Sequence, residues 1–168
     1  MRRSDRALNP DQCQKLLAAA NVCRLALVDP EQGIPYIVPL TYGWEPDRLV
    51  FHAALEGRKL DLIRSQGRAA FEIDLHSGII DAQKACDWTV KFASVIGTGR
   101  VRILDEERDK SLALERLMRH NGYSGPLEMP PAAVRGTAVF ELRIGQMSGK
   151  CNDLAWFEQA VVERSDSP

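Results

Sequence analysis

The sequence predicts a mainly β (α+β) fold: an antiparallel barrel of about six strands with flanking helices. Three observations carry this. Short runs of alternating apolar and polar residues are separated by turns rich in Pro, Gly and Asp. Three such runs follow one another before any internal helical pattern, which is a meander and not an alternating βαβ unit. A long β-branched run, Trp88 to Leu104, carries Gly97 and Gly99 where a barrel corner needs a bulge or bend.

The elements follow in order. Asn9-Pro10-Asp11-Gln12 starts a helix: Asn9 caps, Pro10 suits the first helical position, and Gln12 reaches back as in a capping box. That helix runs to about Ala20. Val22 to Asp29 alternates, with Cys23, Leu25 and Leu27 on one face and Arg24 on the other, so it is a strand. Pro30-Glu31-Gln32-Gly33 is a turn. Tyr36 to Trp44 is a second strand, and Pro39 within it implies an edge, a bulge or an exposed N–H side. Leu49 to Ala53 is a third. Lys59 to Ser65 reads as a short helix ended by Gln66-Gly67. Ala69 to Leu75 is a fourth strand, and His76 to Asp87 a loop. After the long strand, Asp105 can cap a helix to about His120, with Leu114, Leu117 and Met118 on one stripe. Gly122 to Arg135 is loop, Thr137 to Ile144 the last strand, and the remainder a tail.

The 168 residues fit one domain, with Lys+Arg 22, Asp+Glu 23 and a net charge of −1. A hydrophobic share of 45% with 27% charged residues argues against disorder. Balanced charge argues against generalised binding of nucleic acid, though not against one local basic pocket. No apolar run has the length of a membrane span, and no apolar core follows the basic start Met1-Arg2-Arg3. Cys13, Cys23, Cys86 and Cys151 form no C-x-x-C pair, so no disulfide scaffold or metal knuckle is expected. The expected location is the cytoplasm.

The segment richest in chemistry is Phe51-His52-Ala53-Ala54-Leu55-Glu56-Gly57-Arg58-Lys59. A strand ends, a glycine turn follows, and two adjacent cations open a helix. Free N–H groups at a helix start bind anions. Arg58 adds a planar fork and Lys59 a point charge. The small residues Ala53, Ala54 and Gly57 let a ligand approach the backbone. The same spacing also suits two surface charges at a helix start, yet cations there oppose the helix dipole, which favours a bound anion.

This segment resembles the FMN-binding split barrels of the pyridoxamine 5'-phosphate oxidase-like superfamily, and the nitroimidazole-resistance subgroup in particular. The resemblance also takes in Met1-Arg2-Arg3, Gly33 to Leu40, Ser94 to Gly99, and Gly149-Lys150. It covers roughly residues 1–151, leaving 152–168 as a C-terminal tail. It implies a six-stranded split β-barrel that works as a homodimer with flavin at the interface. It implies that Arg58 and Lys59 grip the FMN phosphate and that Val38, Pro39, Leu40 and Thr41 lie beside the flavin ring. His52 and Ala53 would line the flavin, and Ser94 its phosphate or ribityl side. A histidine at the place of His52 is linked with activity in that subgroup; a structural histidine at a strand end is the competing reading. The activity implied is FMN-dependent reduction with NADH or NADPH as donor and a small acceptor, a nitro group in that subgroup. The C-terminal substrate-binding pattern of the oxidase branch is not found after Lys150, so vitamin B6 oxidation is not expected.

Other residues read more simply. His76 and His120 look structural or solvent-facing, and Trp44, Trp88 and Trp156 are expected in packing. Gly97 and Gly99 mimic part of a dinucleotide fingerprint, but the strand continues past them and no helix start follows. Two rivals are a non-catalytic FMN-binding protein, as a sensor or store, and an OB-like barrel for single-stranded nucleic acid. The second needs aromatics interleaved with a basic groove, and aromatics are only 7%.

Overall fold

The computed structural model describes residues 4–165; the basic start Met1-Arg2-Arg3 lies outside them. The elements are β1 (Ala7–Leu8), α1 (Pro10–Ala19), β2 (Val22–Asp29), β3 (Ile34–Thr41), β4 (Gly43–Glu45), β5 (Arg48–Ala53) and α2 (Arg58–Gln66). They continue with β6 (Arg68–Ile80), β7 (Thr89–Leu104), α3 (Glu107–His120), α4 (Pro131–Arg135), β8 (Ala138–Cys151) and α5 (Leu154–Ser165). All pairings are antiparallel, and the order is β3-β2-β6-β7-β8-β5-β4, with β1 beside β8. The architecture is the expected split barrel.

The sheet has eight strands rather than six, and it is not closed. The extra strands are the short β1 and β4. The second expected strand breaks at Tyr42, whose side chain is fully buried and whose hydroxyl donates to the Leu17 carbonyl at 2.7 Å. That inward turn separates β3 from β4. β3 is a sheet edge, as Pro39 implied, because a proline cannot complete a ladder on both sides.

Strand parity divides the sheet into two faces. Leu25, Leu27, Phe71, Ile73, Val95, Phe140 and Leu142 point inward and are almost fully buried. α2 packs across β2, β6 and β7, burying Leu60 and Ile63 in this core. α3 packs on the opposite face, where Val50, Leu104, Val139, Ala113 and Leu117 form a second cluster.

α1 begins as its sequence demands: Gln12 N–H donates to Asn9 Oδ1 and Asn9 N–H to Gln12 Oε1, both at 2.9 Å. α2 ends at Gly67, whose φ of 59° is left-handed and favours glycine. β7 and β8 shift register between Thr98 and Gly99, near the expected glycines, but the extra residue of this bulge is Gly145 on the partner strand β8. A Cβ on Gly99 would collide with the Arg143 carbonyl oxygen and the Leu142 side chain.

Several expectations need correction. β6 runs to Ile80, five residues beyond Leu75, because pairing with β7 resumes past an irregularity between His76 and Ile79. α3 starts at Glu107 with Glu106 at the cap position and no side-chain cap, so Asp105 does not cap it. Residues 131–135 form a short helix within the expected loop. β8 extends to Cys151, and the segment read as a tail folds as α5, which buries Phe157 completely. No helix among the described residues is long and apolar enough to cross a membrane.

Candidate functional site

The link between β5 and α2 places the two expected cations. Gly57 has φ 133°, a backbone that side-chain-bearing residues rarely adopt, and a Cβ there would meet open space. Glycine is therefore required by conformation and not by crowding. No side chain caps α2, so the first N–H groups of the helix keep their capacity to bind an acceptor.

Arg58 and Lys59 meet different surroundings. Arg58 Nε donates to Asp29 Oδ2 at 3.0 Å, and Nη2 donates to the same oxygen. The guanidinium also lies over the Tyr36 ring, 5.1 Å from its centroid. Asp29 is buried at the end of β2 and also accepts the N–H groups of Glu31 and Gln32 at 3.0 and 3.1 Å. The Arg58 guanidinium, aided by these N–H groups, holds the Asp29 carboxyl below the usual carboxylate range. This clamp ties the start of α2 to the β2–β3 turn and leaves Arg58 Nη1 for another acceptor.

Lys59 is half-buried and has no carboxylate within 4 Å among the described residues. Its ammonium lies 5.8 Å from the Phe140 ring centroid. Burial pushes its pKa down from the usual 10.5. A half-buried cation without a carboxylate partner, beside uncapped N–H groups and a glycine, is a setting suited to an anion. These residues fit a phosphate group.

The other expected residues spread over several surfaces. On edge strand β3, Val38 and Leu40 turn inward and are half-buried, whereas Pro39 and Thr41 are exposed on the outer face. Ala53 pairs with Ala138 and faces the core with Phe51. His52 is exposed and shares the opposite face with Val50 and Val139. The side chains of His52 and Ala53 therefore project to opposite faces of β5. Ser94 lies on the outer face of β7, opposite Asp74 and Lys150. Asp74 and Glu72 both accept Arg24 Nη1 there. Burial raises the Glu72 pKa, against the pull of Arg24. Arg58 is linked to β2 and β3, while Lys59 stands over β8; the first turn of α2 thus holds both expected cations on the inner side of the sheet. Val38 and Leu40 pack on the same inner core.

His120 is structural, as expected: Nε2 lies 2.7 Å from the Ala20 carbonyl and the ring packs 4.8 Å from that of Tyr42. Trp44 and Trp156 pack against the main core, but Trp88 is 56% exposed, with its indole N–H on the Ala82 carbonyl.

Sequence reasoning missed two features. Asp29 gave no motif, since only the fold brings it to Arg58. The second is a groove of about 780 Å³ on the outer face, lined by none of the expected residues. Its floor includes Ala26, Ala70 and Gly145, and Arg68, Arg100 and Arg143 stand along it. Only cross-strand register aligns these arginines, and register is not written in one sequence.

Comparisons with known proteins agree with this architecture. A candidate 5-nitroimidazole antibiotic resistance protein from Bacteroides thetaiotaomicron is 25% identical, with a TM-score of 0.75 and 86% of each chain covered. A FAD-binding protein from Mesorhizobium loti is 26% identical, with a TM-score of 0.65, over 88% of this chain and 98% of that one. The flavocytochrome Anf3 from Azotobacter vinelandii, 21% identical, shares the fold with a TM-score of 0.76 over 91% of this chain and 72% of its own. Uncharacterized protein RA0666 of Rhizobium meliloti (strain 1021) is 35% identical over 68 residues, which span 40% of this chain and 43% of that protein's length. The family model described as pyridoxamine 5'-phosphate oxidase matches residues 9–151, most of the barrel, and the chain belongs to that family.

Proposed function

We propose that the chain is an FMN-dependent oxidoreductase of the flavin-reductase or nitroreductase type, with NADH or NADPH as donor and a small molecule as acceptor. The single observation that carries this is the half-buried, carboxylate-free Lys59 at the uncapped start of α2. A phosphate there would neutralise the ammonium and accept helix N–H groups; Arg58, held in place by Asp29, would add its remaining donor. The flavin binding of the Mesorhizobium relative supports the choice of cofactor class. Bound FMN supplies hydride and electron transfer, while the protein positions it and tunes its surroundings.

The chain's own residues contribute orientation. Edge strand β3 presents backbone groups on its unpaired side, and Pro39, which has no N–H, offers only its carbonyl and ring. Val38 and Leu40 supply half-buried apolar contact. The outer face exposes Val22, Ile37 and Ile96, at 39–63%. Such an apolar surface on a sheet suits a second copy of the chain. In the homodimer, Ser94 and His52, which lie on the face away from α2, would serve a flavin shared between chains. We take the compartment to be the cytoplasm.

The orientation of His52, on the face opposite Phe51 and Ala53, favours a second reading in which flavin is bound without turnover. The test is steady-state oxidation of NADH and NADPH by FMN-loaded protein and by His52→Ala. The oxidoreductase reading expects turnover, and altered flavin reduction or acceptor turnover in the variant with FMN affinity retained. Tight FMN binding with no turnover on any nitro or quinone acceptor would leave the binding protein alone standing.

A further inference from the structure

We propose that the outer-face groove is a binding site for the polyphosphate portion of a nucleotide. Register places Arg68 opposite Arg100 and Arg100 opposite Arg143, on adjacent strands β6, β7 and β8. Directly opposed residues of antiparallel strands project from the same face. Three guanidinium groups therefore stand side by side, an arrangement that like-charge repulsion disfavours unless something else stabilises it. All three residues are exposed.

The carboxylates nearby relieve little of this repulsion, since Arg143 alone of the three has one within 4 Å, at the long end of the range. Glu141 is taken by Arg48 at 3.1 Å and Arg102 at 2.7 Å. Asp47 lies 3.2 Å from Arg48 and only 3.9 Å from Arg143. Glu72 and Asp74 belong to Arg24. Among the described residues, no carboxylate lies within 4 Å of Arg68 or Arg100.

The shape beside the row sets the ligand class. With neighbouring strands roughly 4.8 Å apart, three arginine roots span about 10 Å, too wide for one phosphate and suited to two or more linked anionic groups. Arg forks match phosphate oxygens bidentately. Ala26, Ala70 and Gly145 give the groove a shallow apolar floor on which a flat ring can lie, and Thr98 and Gln146 add neutral hydrogen-bonding groups. The bulge between Thr98 and Gly99 shapes this floor. Pro35, on edge strand β3, forms part of the wall, so the groove borders the strand that carries Pro39 and Thr41. Where the flavin reading holds, the nucleotide is the nicotinamide donor; the polyphosphate site stands without it.

The test is isothermal titration of apo and FMN-loaded protein with NADPH and, separately, with inorganic pyrophosphate. Arg68→Gln combined with Arg100→Gln is compared with the unaltered chain, and circular dichroism checks its fold. Both ligands are expected to bind, and both to weaken by at least about tenfold in the double variant, the loss of a charge-assisted contact. FMN affinity is expected to stay within about twofold of the unaltered chain, because Arg58 and Lys59 are untouched. No NADPH binding, or binding that the double variant leaves unchanged, overturns the proposal. Loss of FMN binding to the unaltered chain would instead sink the flavin reading, while pyrophosphate and NADPH titrations of the apo protein still decide the groove.

Discussion

Replacing Lys59 by Met gives effects of opposite sign on stability and binding. Met keeps the length and the apolar stem that lies near Phe140 but removes the ammonium. That ammonium is half-buried with no carboxylate partner, and burial depresses its pKa. A depressed lysine pKa means that folding disfavours the charged form. In the free protein, Lys59 therefore lowers stability most at pH values below its folded pKa. The loss is relieved as pH rises toward 10.5, the value for an exposed lysine. Lys59→Met should thus stabilise the free protein at neutral pH, by a few tenths to about 1 kcal/mol, since the group keeps much of its solvent. Its stability should rise less between the folded pKa and pH 10.5. A charge-assisted hydrogen bond to phosphate is worth about 1.5–3 kcal/mol, so the same variant should raise the FMN Kd by roughly 10- to 150-fold. Urea denaturation of both proteins from pH 7 to 10.5 reads the first effect, and quenching of flavin fluorescence reads the second. A variant less stable than the parent at pH 7, with FMN affinity unchanged, would refute the reasoning on both counts.

Three further outcomes follow from packing and charge. Phe157→Ala empties a fully buried ring site between α5 and the core and should cost about 3–5 kcal/mol in denaturant unfolding; a loss below about 1 kcal/mol would make α5 an appendage. Gly99→Ala should destabilise the bulge because its Cβ meets the Arg143 carbonyl, whereas Gly145→Ala, with the Thr98 oxygen 3.4 Å away, should be tolerated in thermal melts. Asp29 has a lowered pKa, so the stability it contributes is present above the unfolded value near 3.8 and is lost as pH falls through the folded value. Asp29→Asn should flatten the acid limb of stability against pH, and an unchanged limb would contradict the Arg58–Asp29 clamp.

Local chemistry made much of the barrel legible. The Asn9–Gln12 capping box, the β2 alternation, the Gly67 cap and the bulge near Gly99 all come from side-chain or backbone preferences within a few residues. What failed depended on distant partners. β6 extends past Leu75 because β7 continues to pair with it, and β8 passes Ile144 because β7 and β1 flank it. α5 has weak amphipathic character, and its helix is fixed by Phe157 entering a core built elsewhere. The same division holds at the site. Gly57, Arg58 and Lys59 are contiguous and could be read together, whereas Asp29 and the Arg68–Arg100–Arg143 row are assembled only by register.

The most direct measurement of the central claim is the absorbance spectrum of the protein after loading with FMN and removal of free flavin. The unaltered chain should retain the flavin bands, and Arg58→Ala combined with Lys59→Ala should lose most of them while its circular dichroism stays unchanged. Full retention of FMN by the folded double variant would show that the start of α2 is not where the phosphate binds.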